Sequence, residues 1–433
     1  MKRSSLYFFL NLSIILSGTV SAQDKNNMNH TLKPDTGDGM LYNLLVSGAG
    51  QFDSILKHAS DWKVQIICTQ VDHLKKNKVK LTTHSFRNDP SEYFYPASTV
   101  KLPIAILALQ KLRELKIPGL TMNSAMITEA DGPVQTAVST DPSAVNGKPT
   151  IAQYIRKILL VSDNDAFNRL YEFLGQEYIN RNLHRMGYTD TRIIHRLSIF
   201  LSEKDNRHTN PVRFLDDSGK LLYYKPAETS TWDYAQEKTP VAQYLMGKGF
   251  IRGDELVNQP FDFSTKNRMP LGDLHAILTS IIFPESVPAK QRFHLQEEDY
   301  LFLRKCMSIL PRESKSPAYD TTRYGDNIVK FIYYGAASGN ADTTIRIFNK
   351  PGDAYGFMTD AAYVADFKNK RDFLLSATIY CNSDSIFNDD HYDYDAIGFP
   401  FMRNLGRLIH EKEIHRTPTR EPGWSGFLFN YKE

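Results

Sequence analysis

Strand-forming sequence stands near both ends of this chain, and the long stretch between is mainly helical in pattern. Val64 to Val71 and Val79 to Phe86 read as a hairpin, joined by the basic turn around Lys75-Lys76-Asn77-Lys78. Far downstream, Ile345 to Asn349, Tyr355 to Asp366 and Phe373 to Tyr380 read as a β meander, with Lys368-Asn369-Lys370 as one turn. Two strands cannot bury a hydrophobic face alone. The economical packing is therefore an α+β fold: one antiparallel sheet built from both chain ends, flanked by helices, with an all-helical lobe between.

The helices are legible from period and punctuation. Leu41 to His58 carries apolar residues at helical spacing. Residues 98–115 form a strongly apolar helix that stops near Pro118-Gly119. Residues 151–160 follow with Thr150 as N-cap, 165–174 end at Gly175, and 176–186 end at Gly187. Residues 199–268 differ in texture. They are polar, aromatic-rich and turn-broken, and read as an insertion with its own hairpin around Phe214 to Tyr224. Helical pattern resumes at 271–283 and 300–309, and a last helix spans about 396–413.

The first 22 residues have the build of a secretory signal peptide. Lys2 and Arg3 precede the apolar run Leu6 to Leu16, and Val20-Ser21-Ala22 offers a small-x-small cleavage site. The expected destination is the periplasm or the medium, with no stable membrane span after cleavage. Residues 23–38 read as a flexible leader, which leaves 39–433 as the folded domain. Without Lys2 and Arg3 the basic count falls from 52 to 50 against 49 acids, too even for a general nucleic-acid binder. Cys68, Cys306 and Cys381 allow one disulfide at most and sit in apolar sequence, where buried thiols are expected. No Cys/His cluster has metal spacing, so no metal and no cofactor are expected. Oligomeric state is not legible.

Chemistry enters through Ser-x-x-Lys, which occurs three times: Ser54 to Lys57, Ser60 to Lys63, and Ser98 to Lys101. Only the third opens a long apolar helix. A spacing of three places Ser98 and Lys101 on one helical face. A serine hydroxyl is a poor nucleophile until a base takes its proton, and a desolvated lysine can be that base. The helix N-terminus offers N–H groups to an oxyanion. Ser162-Asp163-Asn164 then falls in a short break between helices. Ser162 can relay a proton there, and the Asn164 amide can hold a substrate carbonyl or Lys101. Lys350-Pro351-Gly352 follows a strand, where a cation can meet a carboxylate and a glycine permits close approach.

Together and in this order, these elements resemble the Ser-x-x-Lys, Ser-Asp-Asn and Lys-Thr-Gly set of class A β-lactamases and penicillin-binding proteins. The resemblance implies that Ser98 is acylated, that Lys101 activates it, and that Ser162 shuttles the proton. It also implies that Asn164 contacts the substrate amide, that Lys350 steers a carboxylate, and that N–H groups of Ser98 and of the residue after Gly352 form the oxyanion hole. The implied partner is a small-molecule β-lactam or a cell-wall peptide.

Two departures stand out. Pro351 replaces the family's threonine, removing a hydroxyl and an N–H. The family's Arg-x-Glu stretch reads Arg196-Leu197-Ser198, so Ser198 stands where the water-activating glutamate is expected. A hydroxyl cannot replace that base at neutral pH. Glu203, Glu228 or Glu237 of the insertion are possible substitutes. The first expectation is a hydrolase of the β-lactamase type. The alternatives are a penicillin-binding-like D,D-peptidase or transferase that deacylates slowly, and a non-catalytic relative that binds a partner through the insertion.

Overall fold

A computed structural model describes residues 39–48, 50–132, 135–233 and 244–431. The signal segment, the leader and Glu237 lie outside the described residues. Five strands form the main sheet path, with a sixth short strand beside it. They are β1 (Gln65–His73), β2 (Val79–Phe86), β3 (Ile345–Asn349), β4 (Gly352–Ala354), β5 (Phe357–Asp366) and β6 (Arg371–Tyr380). The order is β3-β5-β6-β1-β2, with β4 paired to β5, and every pairing is antiparallel. The expected junction of the two chain ends is the β1–β6 ladder, where Ile67 opposes Ser376 and Cys68 opposes Leu375.

Period-two alternation divides the core into two halves. Ile67, Val71, Ala361, Tyr363 and Leu374 face the helical lobe. Ile66, Cys68, Ala362, Val364, Phe373 and Leu375 face the opposite layer, which includes Phe401, Leu405 and Ile409 of the C-terminal helix Phe399–His415. Both faces of β5 and β6 are therefore covered, and their residues are buried almost throughout. All three cysteines are buried, as expected.

The helical lobe is built on α1 (Lys101–Leu115), α2 (Ile151–Val161) and α3 (Asn164–Leu174). Helix α1 is buried on all sides from Lys101 to Gln110. Thr150 caps α2 as expected, its Oγ1 accepting from Gln153 N at 3.0 Å. Gly175 ends α3 at φ 78°, a conformation that favours glycine.

Two sequence expectations need revision. The first helix is interrupted: it forms Met40–Ser47 and Asp53–Lys57, and two glycines lie in the sequence between them. The chain at Ser98 is not yet α-helix but a 3₁₀ turn, Ala97–Val100, that leads into α1. Residues 199–268 carry the expected hairpin and also pair with the rest of the chain. The hairpin strands Val212–Leu215 and Leu221–Lys225 form, but the first also pairs with Ala125–Thr128 of the helical lobe. Further on, Gly249–Arg252 pairs with Ile386–Phe387 near the chain's end. The insertion is stitched into the body at both of its halves.

Candidate active site

The turn before the first site helix is tight. Ala97 takes φ 46°, in the left-handed region, and Pro96 O accepts from both Thr99 N (3.0 Å) and Thr99 Oγ1 (2.6 Å). This presents Ser98 half-exposed while Thr99 and Val100 are buried behind it. The Ser98 N–H has no acceptor among the described residues, as an oxyanion donor requires.

Lys101 sits one turn on, with no exposed surface. Its Nζ donates to Ser98 Oγ (2.8 Å), Ser162 O (2.6 Å), Ser162 Oγ (3.1 Å) and Asn164 Oδ1 (2.6 Å). Burial drives its pKa well below the usual lysine range. Nearby Lys350 adds to the fall, while Asp163 and Asp353 oppose it. A neutral amine at hydrogen-bond distance from a serine hydroxyl is the arrangement a general base needs. The other two Ser-x-x-Lys sequences have no such setting, since Ser54 and Ser60 are exposed.

Ser162 ends α2 in the left-handed region at φ 62°, and Asp163 caps α3 by accepting from Ala166 N at 2.8 Å. The break between the helices thus points Ser162 and Asn164 at Lys101. Lys350, also without exposed surface, donates to Ser162 Oγ (3.0 Å) and to Pro351 O (2.7 Å). Ser162 Oγ therefore bridges the two lysines. Burial lowers the Lys350 pKa to about 7, against the pull of Asp360 and Asp353. Gly352 completes the ring. A Cβ at this position would lie 2.5 Å from Ser98 N and 2.7 Å from Thr99 N. Strand β4 rests directly on the turn that carries Ser98.

The six residues singled out from sequence, Ser98, Lys101, Ser162, Asn164, Lys350 and Gly352, thus converge on one site. Sequence reasoning missed its supports. Behind Lys350 lies a buried polar network. Lys330 Nζ donates to Asn349 Oδ1 at 2.8 Å, and Asn349 Nδ2 donates to Asp360 Oδ1 and Oδ2 at 2.9 Å. The Asp360 carboxyl is raised to about 6 by burial, and Lys330 is lowered to about 7 for the same reason. Polar residues on strands whose neighbours are apolar were the only signal for this network.

Aromatic rings flank the turn. Tyr95 stacks parallel to His195 at 6.1 Å and meets Tyr355 edge-on at 5.1 Å. Phe261 and Phe263 of the insertion both pack on Tyr355 at 5.5 Å. The insertion thus contributes to the surroundings of the site.

The loop that carries Ser198 is held by one face of α3. Asn164, Asn168 and Glu172, spaced four apart, line that face. Asn164 Nδ2 donates to Ser198 Oγ (2.7 Å), Asn168 Nδ2 donates to Leu197 O (3.0 Å), and Glu172 Oε1 accepts from Arg196 Nε (2.8 Å). Glu172 also accepts from Asn210 N. Removing one partner from a buried ion pair strands the other charge. Glu172→Ala is therefore expected to lower unfolding free energy by about 3–5 kcal/mol, measured by denaturant titration.

Neither described alternative to the missing glutamate reaches Ser98. Glu203 pairs with Arg207 four residues on, and Glu228 pairs with Lys225 and lies against Gly175, at the far end of α3 from Asn164. Glu237 lies outside the described residues.

A sheet joined from both chain ends, a helical lobe and this serine–lysine ring make up a β-lactamase/transpeptidase-like fold. In agreement, residues 51–230 match the beta-lactamase enzyme family. No curated protein sequence matches the chain. Among solved structures, it is similar to a beta-lactamase from Sphaerobacter thermophilus, with TM-score 0.44 and 12% identity over 87% of this chain and 99% of that one. It is also similar to a beta lactamase from Xanthomonas campestris (TM-score 0.46, 13% identity, 84% and 98%). A third is PBP-A (TM-score 0.44, 15% identity, 86% and 96%).

Proposed function

We propose that the chain is an exported serine hydrolase, acylated on Ser98 by β-lactams or related amides. The observation that carries this reading is the Lys101 amine, buried and 2.8 Å from Ser98 Oγ. In the acylating step Ser98 Oγ bonds to the amide carbon and the C–N bond breaks. The Ser98 proton passes through Lys101 and Ser162 to the leaving nitrogen. Ser162, touching both lysines, lies on that path. The oxyanion that forms in between meets the free N–H of Ser98. Export rests on the pattern of residues 1–22. No helix among the described residues is long and apolar enough to cross a membrane.

A second reading, a penicillin-binding type of peptidase whose acyl-enzyme is long-lived, draws support from Ser198. That hydroxyl, hydrogen-bonded to Asn164, stands where a water-activating carboxylate belongs. Intact-mass measurement with labelled penicillin and its methyl ester tests both readings. One adduct per chain, absent from Ser98→Ala, is the expected result; no adduct from either compound overturns the proposal. Turnover of the adduct separates hydrolase from peptidase. Ser198→Glu restores a carboxylate beside Asn164 and is expected to speed loss of the adduct about tenfold or more, since a placed base contributes about 10²–10⁴-fold.

A further inference from the structure

Resting on that acylation reading, we propose that this cleft selects acyl donors with no carboxylate beside the scissile amide, and that Asp353 is the residue that turns such a carboxylate away. Three features of the Lys350 end of the site converge on it.

The first is the state of Lys350. A carboxylate is held best by charge-assisted hydrogen bonds. Here Lys350 has no exposed surface, and its Nζ donates to Ser162 Oγ and to the carbonyl of the next residue. It serves the proton path more directly than it serves a ligand.

The second is Pro351. It offers no side-chain hydroxyl and no backbone N–H, so the residue after the lysine can donate nothing to a carboxylate.

The third is Asp353 itself. It lies in β4, one residue beyond the Gly352 backbone that rests on Ser98 N. The residue is exposed by surface area; partial burial of its carboxyl group pushes the pKa up, against the pull of Lys350 and Lys101. The side groups that couple to these two lysines are Asp163, Asp353 and Asp360, beside the lysines themselves. No arginine is among them. Asp163 is engaged with Ala166 N, and Asp360 is buried against Asn349 and Ile332 N. Asp353 is the most exposed acid of the three, and so the one an incoming ligand encounters first. A carboxylate brought to this end meets a like charge and too few donors, and like-charge juxtaposition is among the costliest mismatches in recognition. A neutral group meets no such penalty, and an ammonium group gains an ion pair.

The test is a matched series on one acyl skeleton: penicillin G, its methyl ester, and its aminoethyl amide, which carries an ammonium group. Second-order acylation rates at Ser98 are read by intact mass. The wild-type protein is expected to react fastest with the ammonium compound and slowest with the acid. Asp353→Asn is expected to raise the acid-to-ester rate ratio about tenfold, and Asp353→Ser to do the same. If all three compounds label Ser98 but the acid leads, the selectivity is overturned while acylation stands. A ratio that stays within twofold in both variants removes Asp353 from its role. If none of the three labels Ser98, the acylation reading fails and this inference falls with it.

Discussion

Replacing Lys101 with methionine is expected to slow acylation at pH 7 by about 10³-fold, within the range of a lost general base. Methionine has similar length and no proton-accepting nitrogen, so the change removes chemistry while keeping volume. The wild-type pH profile should carry the signature of the same group. Burial, aided by Lys350, depresses the Lys101 pKa. The amine is therefore neutral and competent above that depressed value. Acylation should fall as pH drops through it and the amine takes a proton. In Lys101→Met that acid limb should vanish along with the rate. Lys101→Arg should not rescue, because a guanidinium stays protonated at every working pH. A structural role alone would predict a different outcome: rescue by arginine, or loss of folded protein in the thermal melt. A methionine variant that acylates within threefold of wild type would remove Lys101 from the mechanism.

A second limb is expected on the alkaline side. Lys350 titrates at about 7, so the charge beside Ser162 Oγ is lost as pH rises through that value. Acylation that depends on this charge to polarise Ser162 then declines. The two groups share Ser162, so the measured limbs belong to the pair.

Much of this site was legible before any coordinates. Ser98, Lys101, Ser162 and Asn164 announce themselves because local structure alone brings each pair together. A spacing of three stacks Ser98 over Lys101, and a helix break aims two polar side chains one way. Lys350 and Gly352 needed the resemblance, since some 250 residues separate them from Ser98 and only the β5 ladder brings them back. What stayed hidden depends on packing across elements. Nothing in the sequence says that Asn349 and Asp360 meet Lys330, or that three residues of α3 grip the loop at 196–198. The left-handed φ at Ala97, Ser162, Ser198 and Tyr355 was equally invisible, because none of these residues is glycine. Such conformations cost about 1–3 kcal/mol each and persist where the surroundings over-determine them. Their concentration around the serine fits a site held rigid by neighbours rather than by propensity. The outer pairings of the insertion stayed hidden for a related reason. Its hairpin is legible from local pattern, while its strands find further partners at Ala125–Thr128 and Ile386–Phe387 that no local pattern reveals.

Gly352→Ala should be the most disruptive single-methyl change in the site. The residue does not need glycine for its φ; it needs it for space. An alanine Cβ would stand 2.5 Å from Ser98 N, 2.7 Å from Thr99 N and 3.0 Å from Pro96 O, and all three are backbone atoms. A side chain in the way could change rotamer, but backbone cannot, so β4 must lift from the turn that carries Ser98. Lifting separates Ser98 N–H from the strand that forms the other wall of the oxyanion site. Loss of one oxyanion donor costs about 10²–10³-fold in rate, and acylation is expected to fall by that much. Lys101 lies on the far side of Ser98 and keeps its hydrogen bonds, so the pH profile of the residual rate should be unchanged. That separates this defect from the loss of a base. Gly272→Ala provides the control. Its new Cβ would approach nothing closer than 3.8 Å, and the residue lies in the helix Leu271–Ile282. There alanine is favoured over glycine, and both acylation and melting temperature should hold or rise slightly. A Gly352→Ala variant that acylates at the wild-type rate would show that the strand does not wall the reacting carbonyl, and the oxyanion site would have to be sought elsewhere around Ser98.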